Sequence, residues 1–511
     1  MLSGDDVIGS PAWWFRYLLN GFDARFRPAW DDWSRTDGTT GERYPTRRER
    51  LEQLWSYHTG NPPLPQVAEG YTEIFRDVMR KARSNYAPMP VRAMSDRMEL
   101  QGVETAADNN VNGDDLAAEI MEVSNLAAAL KDFLSYLFAM SEAYMMVVPS
   151  ATKTLSTPLI TALDPRYCIG DPDPQNPNVL RAALNRTFDP VYGVERAHLF
   201  LPGLKFTAQR SNGTVSRSFV GSEWSWAAVD EGDLPVGEKV TGIDAYGGIP
   251  IVRFDNADRL GEFESHLDLL DRINDTTLQR IVLTWYQSFR QRAVIGDLEG
   301  DDDDDPDDPT PKEEIDWTQV FTADPGGLWR VPKDVTFWES NQAELTPIIT
   351  AKRDDVKEFG LLTSTPLYLI TPDAVNQSAA GSELQDAGIT FKVSDRRART
   401  SPGLKQVFRI AFAFAGQEQR AKGMKLLWGA IKQVSLTDKA SATAQTNGVL
   451  SRERQLVDIW DMSPDEAARN MQELIAESLL GLPTIGGAPQ QQPTPTAPQT
   501  PAPPASIEAP V

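Results

Sequence analysis

Residues 258–293 read DRLGEFESHLDLLDRINDTTLQRIVLTWYQSFRQRA. Leu260, Phe263, Leu267, Leu270, Asn274, Leu278, Ile281, Trp285 and Phe289 recur in steps of three and four. That spacing predicts one helical stripe over the whole segment. At 1.5 Å per residue such a helix would be about 50 Å long. Its acids lie mainly in the first half and its arginines in the second, which suits the helix dipole. A helix of this length is unusual in a compact domain and needs partners along its length. The next stretch of similar character, residues 345–362, is too short to cover it. Thr346 is the expected N-cap there, Pro347 the first helical residue, and Ile348, Ile349, Val356, Phe359 and Leu362 the apolar positions. The rod is therefore expected to be sheltered by other copies of the chain.

Outward from that rod, the segments differ in character. Helices are expected over 47–57 and 71–86, the second stopped by Pro88 and Pro90. Residues 91–103 read as a short helix and a strand. Residues 116–148 read as two helices running into a central strand, the second helix apolar nearly all round and so buried. Residues 155–255 are β-rich, with strands at 159–163, 182–187, 197–201 and 249–254 separated by turns such as Asn212-Gly. Residues 382–415 are helical again. Pro402 is expected to split or kink this helix, with Ser401 capping its second half. Further helices follow over 424–480, two of them opened by Ser451 and Ser463. Nine prolines in the last 29 positions mark a disordered tail over 483–511.

Composition limits the function. The 511 residues suggest about three or four lobes, and 41% hydrophobic content supports a real core. Fifty basic against 73 acidic residues leave a net charge of −23, the wrong sign for a DNA-gripping surface. A single cysteine, Cys168, excludes an internal disulfide and a cysteine-cluster metal site. It reads as a small buried hydrophobe. His58, His198 and His266 follow no ligand spacing. No apolar run is long enough to span a membrane, and the acidic N-terminus lacks a signal-peptide pattern, so the expected compartment is cytosolic.

The catalytic motifs looked for do not occur. Residues 232–240 (GDLPVGEKV) come nearest to a phosphate loop, but Glu238 stands where lysine is needed. Asp301, Asp302, Asp303, Asp304, Asp305, Asp307 and Asp308 form an acidic run within 297–311. Counted from Asp297, an EF-hand would need Gly at Asp302 and Glu at Asp308, so the pattern fails. The run reads as a solvated loop. Asp354 and Asp355 read as surface charges. No catalytic residue, cofactor or metal is expected.

The order of elements resembles the portal proteins of tailed double-stranded DNA phages, in a subfamily common in phages of actinobacteria. The stretches that carry the likeness are Arg83-Ser-Asn-Tyr with VRAMSDRMELQGV, Ser141-Glu-Ala-Tyr, Ala162-Leu-Asp-Pro-Arg and Gly248-Ile-Pro-Ile-Val-Arg-Phe. The rod, FTADPGGLW at 321–329, Thr365-Pro-Leu and Asn376-Gln-Ser-Ala follow in order. The resemblance implies an α+β, multidomain portal fold assembled as a dodecameric ring. An α/β wing would occupy 1–256 together with a wing helix at 382–420. Stem helices would lie at 257–293 and 345–362, a small α/β clip at 294–344, and a helical crown at 421–482. The loop 363–381 would face the channel, with Thr371, Asp373, Asn376, Gln377 and Ser378 as its candidate lining. Its lack of Lys and Arg suits DNA that must slide. The stem stripe Leu260, Phe263, Leu267, Leu270, Leu278, Ile281, Trp285 and Phe289 would pack subunits together. Implied partners are double-stranded DNA, the terminase large subunit, a head–tail adaptor, and the major capsid and scaffolding proteins, with no membrane. The implied location is one capsid vertex of the virion, after assembly in the host cytoplasm. Another virion component, from tail or scaffold, and a metal-dependent nuclease are the competing readings.

Overall fold

The structure is a computed structural model that describes residues 7–24, 45–65, 72–107, 113–149, 157–211, 224–230, 234–288, 292–295, 336–339, 344–370, 379–431, 436–460, 462 and 464–479. Mixed helices and sheets build it. Strand β2 (Glu142–Val148) is central in an antiparallel sheet, between β10 (Ile251–Asp255) and β3 (Leu159–Leu163). Its alternate residues serve two cores. Ala143, Met145 and Val147 join the helical core with Phe133, Phe254 and Phe408. Tyr144 and Met146 face the other way, onto Cys168, Leu180, Ala183 and Phe200. Burial on both faces explains the unbroken apolar run at 143–148.

The second sheet runs β4 (Cys168–Pro172), β5 (Leu180–Asp189), β6 (Val194–Leu201), β7 (Leu204–Ser211), β8 (Ser225–Trp226), with β9 (Glu238–Lys239) also on β7. Its far side is covered by α1 (Pro11–Gly21), through Phe15, Leu18, Leu19 and Phe22. Helices α2 (Arg47–His58), α3 (Thr72–Ala82), α4 (Pro88–Ser95), α5 (Asp115–Val123) and α6 (Leu126–Met140) form the opposite layer. A reciprocal Thr46–Glu49 capping box starts α2. The layers are thus helices, sheet, sheet and helix, the α+β arrangement expected.

Several local expectations change. The rod does not begin at 258. Helix α7 spans Leu267–Ser288, 22 residues or about 33 Å, and residues 292–295 already form strand β11 (Arg292–Ile295). The 3-10 turns Ala257–Arg259 and Glu264–His266 precede α7. Asp258 and Arg259 both take φ +54°, which no helix allows. The Glu262 N–H donates to Phe138 O at 2.7 Å, and the Gly261 N–H to Glu264 Oε2 at 2.7 Å. The first bond holds the segment against the end of α6 and the second closes a local turn, so Leu260 and Phe263 stand before the helix.

Helix α3 ends at Ala82, short of the expected residue 86, and Pro88 and Pro90 do not stop it but occupy the opening of α4, where a missing N–H costs little. Helix α6 is buried all round only towards its C-terminal end; Ala127, Ala128, Lys131 and Asp132 are exposed. Helix α8 is Thr346–Leu362, and Thr346 lies inside it, without a side-chain cap at Leu345. Helix α9 (Ala379–Phe414) runs unbroken through Pro402. Ser401 is not a cap; its hydroxyl donates back to Arg397 O at 2.5 Å. Gly403 lets α9 lie on β10, since a Cβ there would sit 2.4 Å from the Phe254 ring.

Strand β12 (Thr336–Glu339) pairs with β11. Strand β13 (Lys425–Trp428) pairs with β1 (Leu100–Glu104), so the opening of the span expected for the crown is tied to the span expected for the wing. Helices α10 (Leu436–Gln445), α11 (Arg452–Asp458) and α12 (Pro464–Leu479) follow. Ser451 caps α11, accepting from the Arg454 N–H at 3.3 Å.

Candidate functional site

Helices α7 and α8, which lie in the spans expected for the stem and are named the stem pair for that reason, form the candidate site together with the socket that holds their base. The pair is antiparallel. Arg272 reaches Asp355 at 2.9 Å and Glu358 at 2.7 Å, both across from it on α8. On the other side, α7 rests on the helical layer. Tyr57 donates to Asp271 Oδ1 at 2.7 Å, and the Ser84 N–H donates to Asn274 Oδ1 at 2.7 Å. Asn274, a polar residue on the apolar stripe, is therefore buried and satisfied. Lys352 of α8 donates to Ser84 Oγ at 3.2 Å. Burial, and then nearby Arg280, hold its ammonium below the usual lysine range.

The socket is a charge network. Glu262, just before α7, accepts from Arg396 Nε at 2.8 Å, pairs with Lys392 Nζ at 2.7 Å, and accepts from Asn256 Nδ2 at 2.9 Å. Lys392 also donates to Thr363 O at the end of α8, at 2.7 Å. One lysine of α9 thus ties the foot of both stem helices. Burial alone would raise Glu262; Lys392 and Arg396 outweigh it and hold the carboxyl below the carboxylate range. Nearby, Arg50 of α2 grips Glu264 through Nε at 2.5 Å and Nη2 at 2.7 Å, and also donates to Arg259 O at 2.9 Å. Glu142 of β2 lies between Arg47 at 2.6 Å and Arg253 at 3.2 Å. Burial opposes its ionisation, and the two arginines reverse that, leaving it low.

A cleft of about 820 Å³ opens beside this network, with Arg47, Arg50, Ser141, Glu142, Arg253 and Arg259 in its wall. Most of these groups bond one another, so the cleft has charge balance but no nucleophile with an adjacent base. Cys168 is buried in the second core, and burial pushes its thiol far above the usual range. Among the described residues no group of three His, Cys, Asp or Glu could hold a metal, and no helix is long and apolar enough to cross a membrane.

Burial along the stem changes from foot to tip. Phe263, Leu270 and Leu278 are buried, the last against Met79 and Ala82 of α3. Leu260, Leu267 and Ile281 are half-buried. Trp285 is 49% exposed and Ile349 36%. On α8, Val356 and Phe359 are buried, whereas Leu361 is 69% exposed. The inner side of the foot is held in the core, while Trp285 and Ile349 towards the tip and Leu361 on the outer side of the foot remain exposed.

Phe289, the channel residues Thr371, Asp373, Asn376, Gln377 and Ser378, and the acidic run Asp301, Asp302, Asp303, Asp304, Asp305, Asp307 and Asp308 lie outside the described residues. The sequence reading missed the socket. Lys392 and Arg396 stand four apart on a helix, which marks one face, but nothing local marks Glu262 as their partner.

No match to the chain was found among curated proteins. Two solved structures of gene transfer agent (GTA) particles are similar to parts of it. A chain from the neck of a native GTA particle, computed with C12 symmetry, has 12% identity and a TM-score of 0.40, over 80% of this chain and 98% of that one. A chain from the neck of an empty GTA particle, computed with C6 symmetry, has 13% identity and a TM-score of 0.44, over 85% and 95%. The sequence profile of the phage portal proteins, SPP1 Gp6-like, matches residues 40–478. That span covers most of the chain, so the chain belongs to the phage portal protein family, SPP1 Gp6-like.

Proposed function

We propose that this portal protein is the repeating subunit of a dodecameric ring at one capsid vertex, through which double-stranded DNA is packaged and later ejected. Residues 257–293 and 345–362 form the stem, 294–344 the clip, 363–381 the channel loop, 421–482 the crown, and 1–256 with 382–420 the wing. The observation that carries this reading is the exposure of Trp285, Ile349 and Leu361 on a stem whose foot is firmly socketed. Exposed apolar side chains on a rigid pair of helices mark a contact surface, and in a ring the next copy covers it. The channel loop has no Lys or Arg and the chain is acidic overall, so DNA passes without being held. The role is a conduit and docking point, not a catalyst. The terminase large subunit and the head–tail adaptor meet the clip, where the acidic run tunes their docking by charge. Scaffolding and major capsid proteins are the further partners in the head.

Native mass spectrometry of the purified full chain, with negative-stain imaging, tests this. The expected result is a closed ring with a central hole and a mass near twelve copies. A monomer or dimer across all salt concentrations overturns it.

A further inference from the structure

Two opposite charge patterns stand on the outer sides of the stem pair. On α7, Asp268, Asp271 and Asp275 recur in steps of three and four, which places them along one side. Asp268 and Asp275 are exposed, and Asp271 is half-buried under Tyr57. On α8, Arg353 and Lys357 stand four apart and exposed, followed four residues on by exposed Leu361. Val356 and Phe359 turn the opposite way, into the core. The contact of α8 with its own α7 uses Asp355 and Glu358, on Arg272. Lys357 has only a 3.5 Å contact with Asp354, on its own helix and exposed, a pairing worth little.

Height along the stem connects the two patterns. The Arg272–Glu358 pair sets the antiparallel register, so Lys357 stands level with residue 273, between Asp271 and Asp275. Arg353 stands level with residue 277, about 3 Å beyond Asp275. Leu361 falls near the level of Asp268 and Asp271. Copies related by rotation about one axis share the same height, so α7 of one copy meets α8 of the next level for level. Burial and mutual repulsion also load the acidic side. Burial first, and then Asp268, raise the Asp271 carboxyl against the Tyr57 bond; burial and then Asp271 raise Asp275.

The geometry points to a heterologous subunit contact in which the Asp268–Asp271–Asp275 side of α7 in one copy receives Arg353 and Lys357 of α8 from the next, with Leu361 packed beside them. This rests on the ring reading and adds to it which faces meet and what sets their register. Opposite charges at matched heights favour one vertical offset and penalise others, because a slip sets like charges together. The contact is exposed at its rim, so it weakens with added salt.

Cross-linking in the full chain tests it. A chain carrying both Asp275→Cys and Lys357→Cys, treated with a short bis-maleimide, is expected to give a ladder of multimers on a denaturing gel. The unaltered chain, whose one cysteine is buried, gives none. In parallel, Lys357→Glu is expected to lower the ring fraction at low salt by about two- to tenfold, and adding Asp275→Lys restores it. Rings seen by native mass with no ladder and no restoration overturn this contact while leaving the ring intact. Failure of the unaltered chain to form any ring at any salt overturns the ring reading itself.

Discussion

Glu262→Gln is expected to destabilise the folded protomer by about 3 kcal/mol, the lower part of the range for removing one member of a buried ion pair. The substitution keeps the size of the side chain and removes its charge. Lys392 and Arg396 then stand side by side at the foot of the stem without the carboxylate that both contact. Both cations keep some solvent contact, which holds the loss to the lower end. Urea unfolding followed by tryptophan fluorescence reads the change. A shift within error of zero would mean that the socket does not hold the stem.

The same network sets the response to acid. Glu142 and Glu262 are both held below the usual carboxylate range. A carboxyl depressed in the folded state contributes stability that is present above its unfolded value, about 4.3, and is lost as pH falls through the folded value. The melting temperature should therefore fall steeply below about pH 4. In Glu262→Gln that slope should flatten, since one of the two carboxyls no longer titrates.

Phe359→Ala should cost about 3–5 kcal/mol, the usual range for emptying a fully buried aromatic site. Phe359 has no solvent exposure and joins α8 to the helical core. Its neighbour on the next helical face, Leu361, is largely exposed in the single chain. Leu361→Ala should leave urea unfolding of the protomer nearly unchanged and lower the ring fraction in native mass spectra. Equal effects of the two substitutions on the protomer would place Leu361 inside the core and remove one support for the subunit contact.

The sequence carried the periodic parts of the fold well. Steps of three and four at 267–288 and 346–362 mark helices because one side of each is apolar. The run at 143–148 marks a central strand because both of its faces are buried. The start of α7 was not legible. Leu260 and Phe263 keep the helical spacing, yet two successive residues at positive φ and the bond from Glu262 N–H to Phe138 O turn the chain there. Periodicity records which side chains seek burial and carries no information on backbone bonds to a distant helix. Pro402 misled for a related reason. The tertiary packing of α9 on β10, through Gly403 and Phe254, keeps one helix where the local rule predicts a break. The socket escaped because Glu262 and its partners Lys392 and Arg396 lie 130 or more residues apart, and charge type alone does not show which acid meets which base.

A cryo-electron reconstruction of the purified assembly tests the central claim most directly. The expected map shows identical copies around an open channel, with Trp285 and Leu361 of each stem covered by a neighbouring stem. A map of a solitary folded chain, with those two side chains facing solvent or closed in by their own polypeptide, would contradict it.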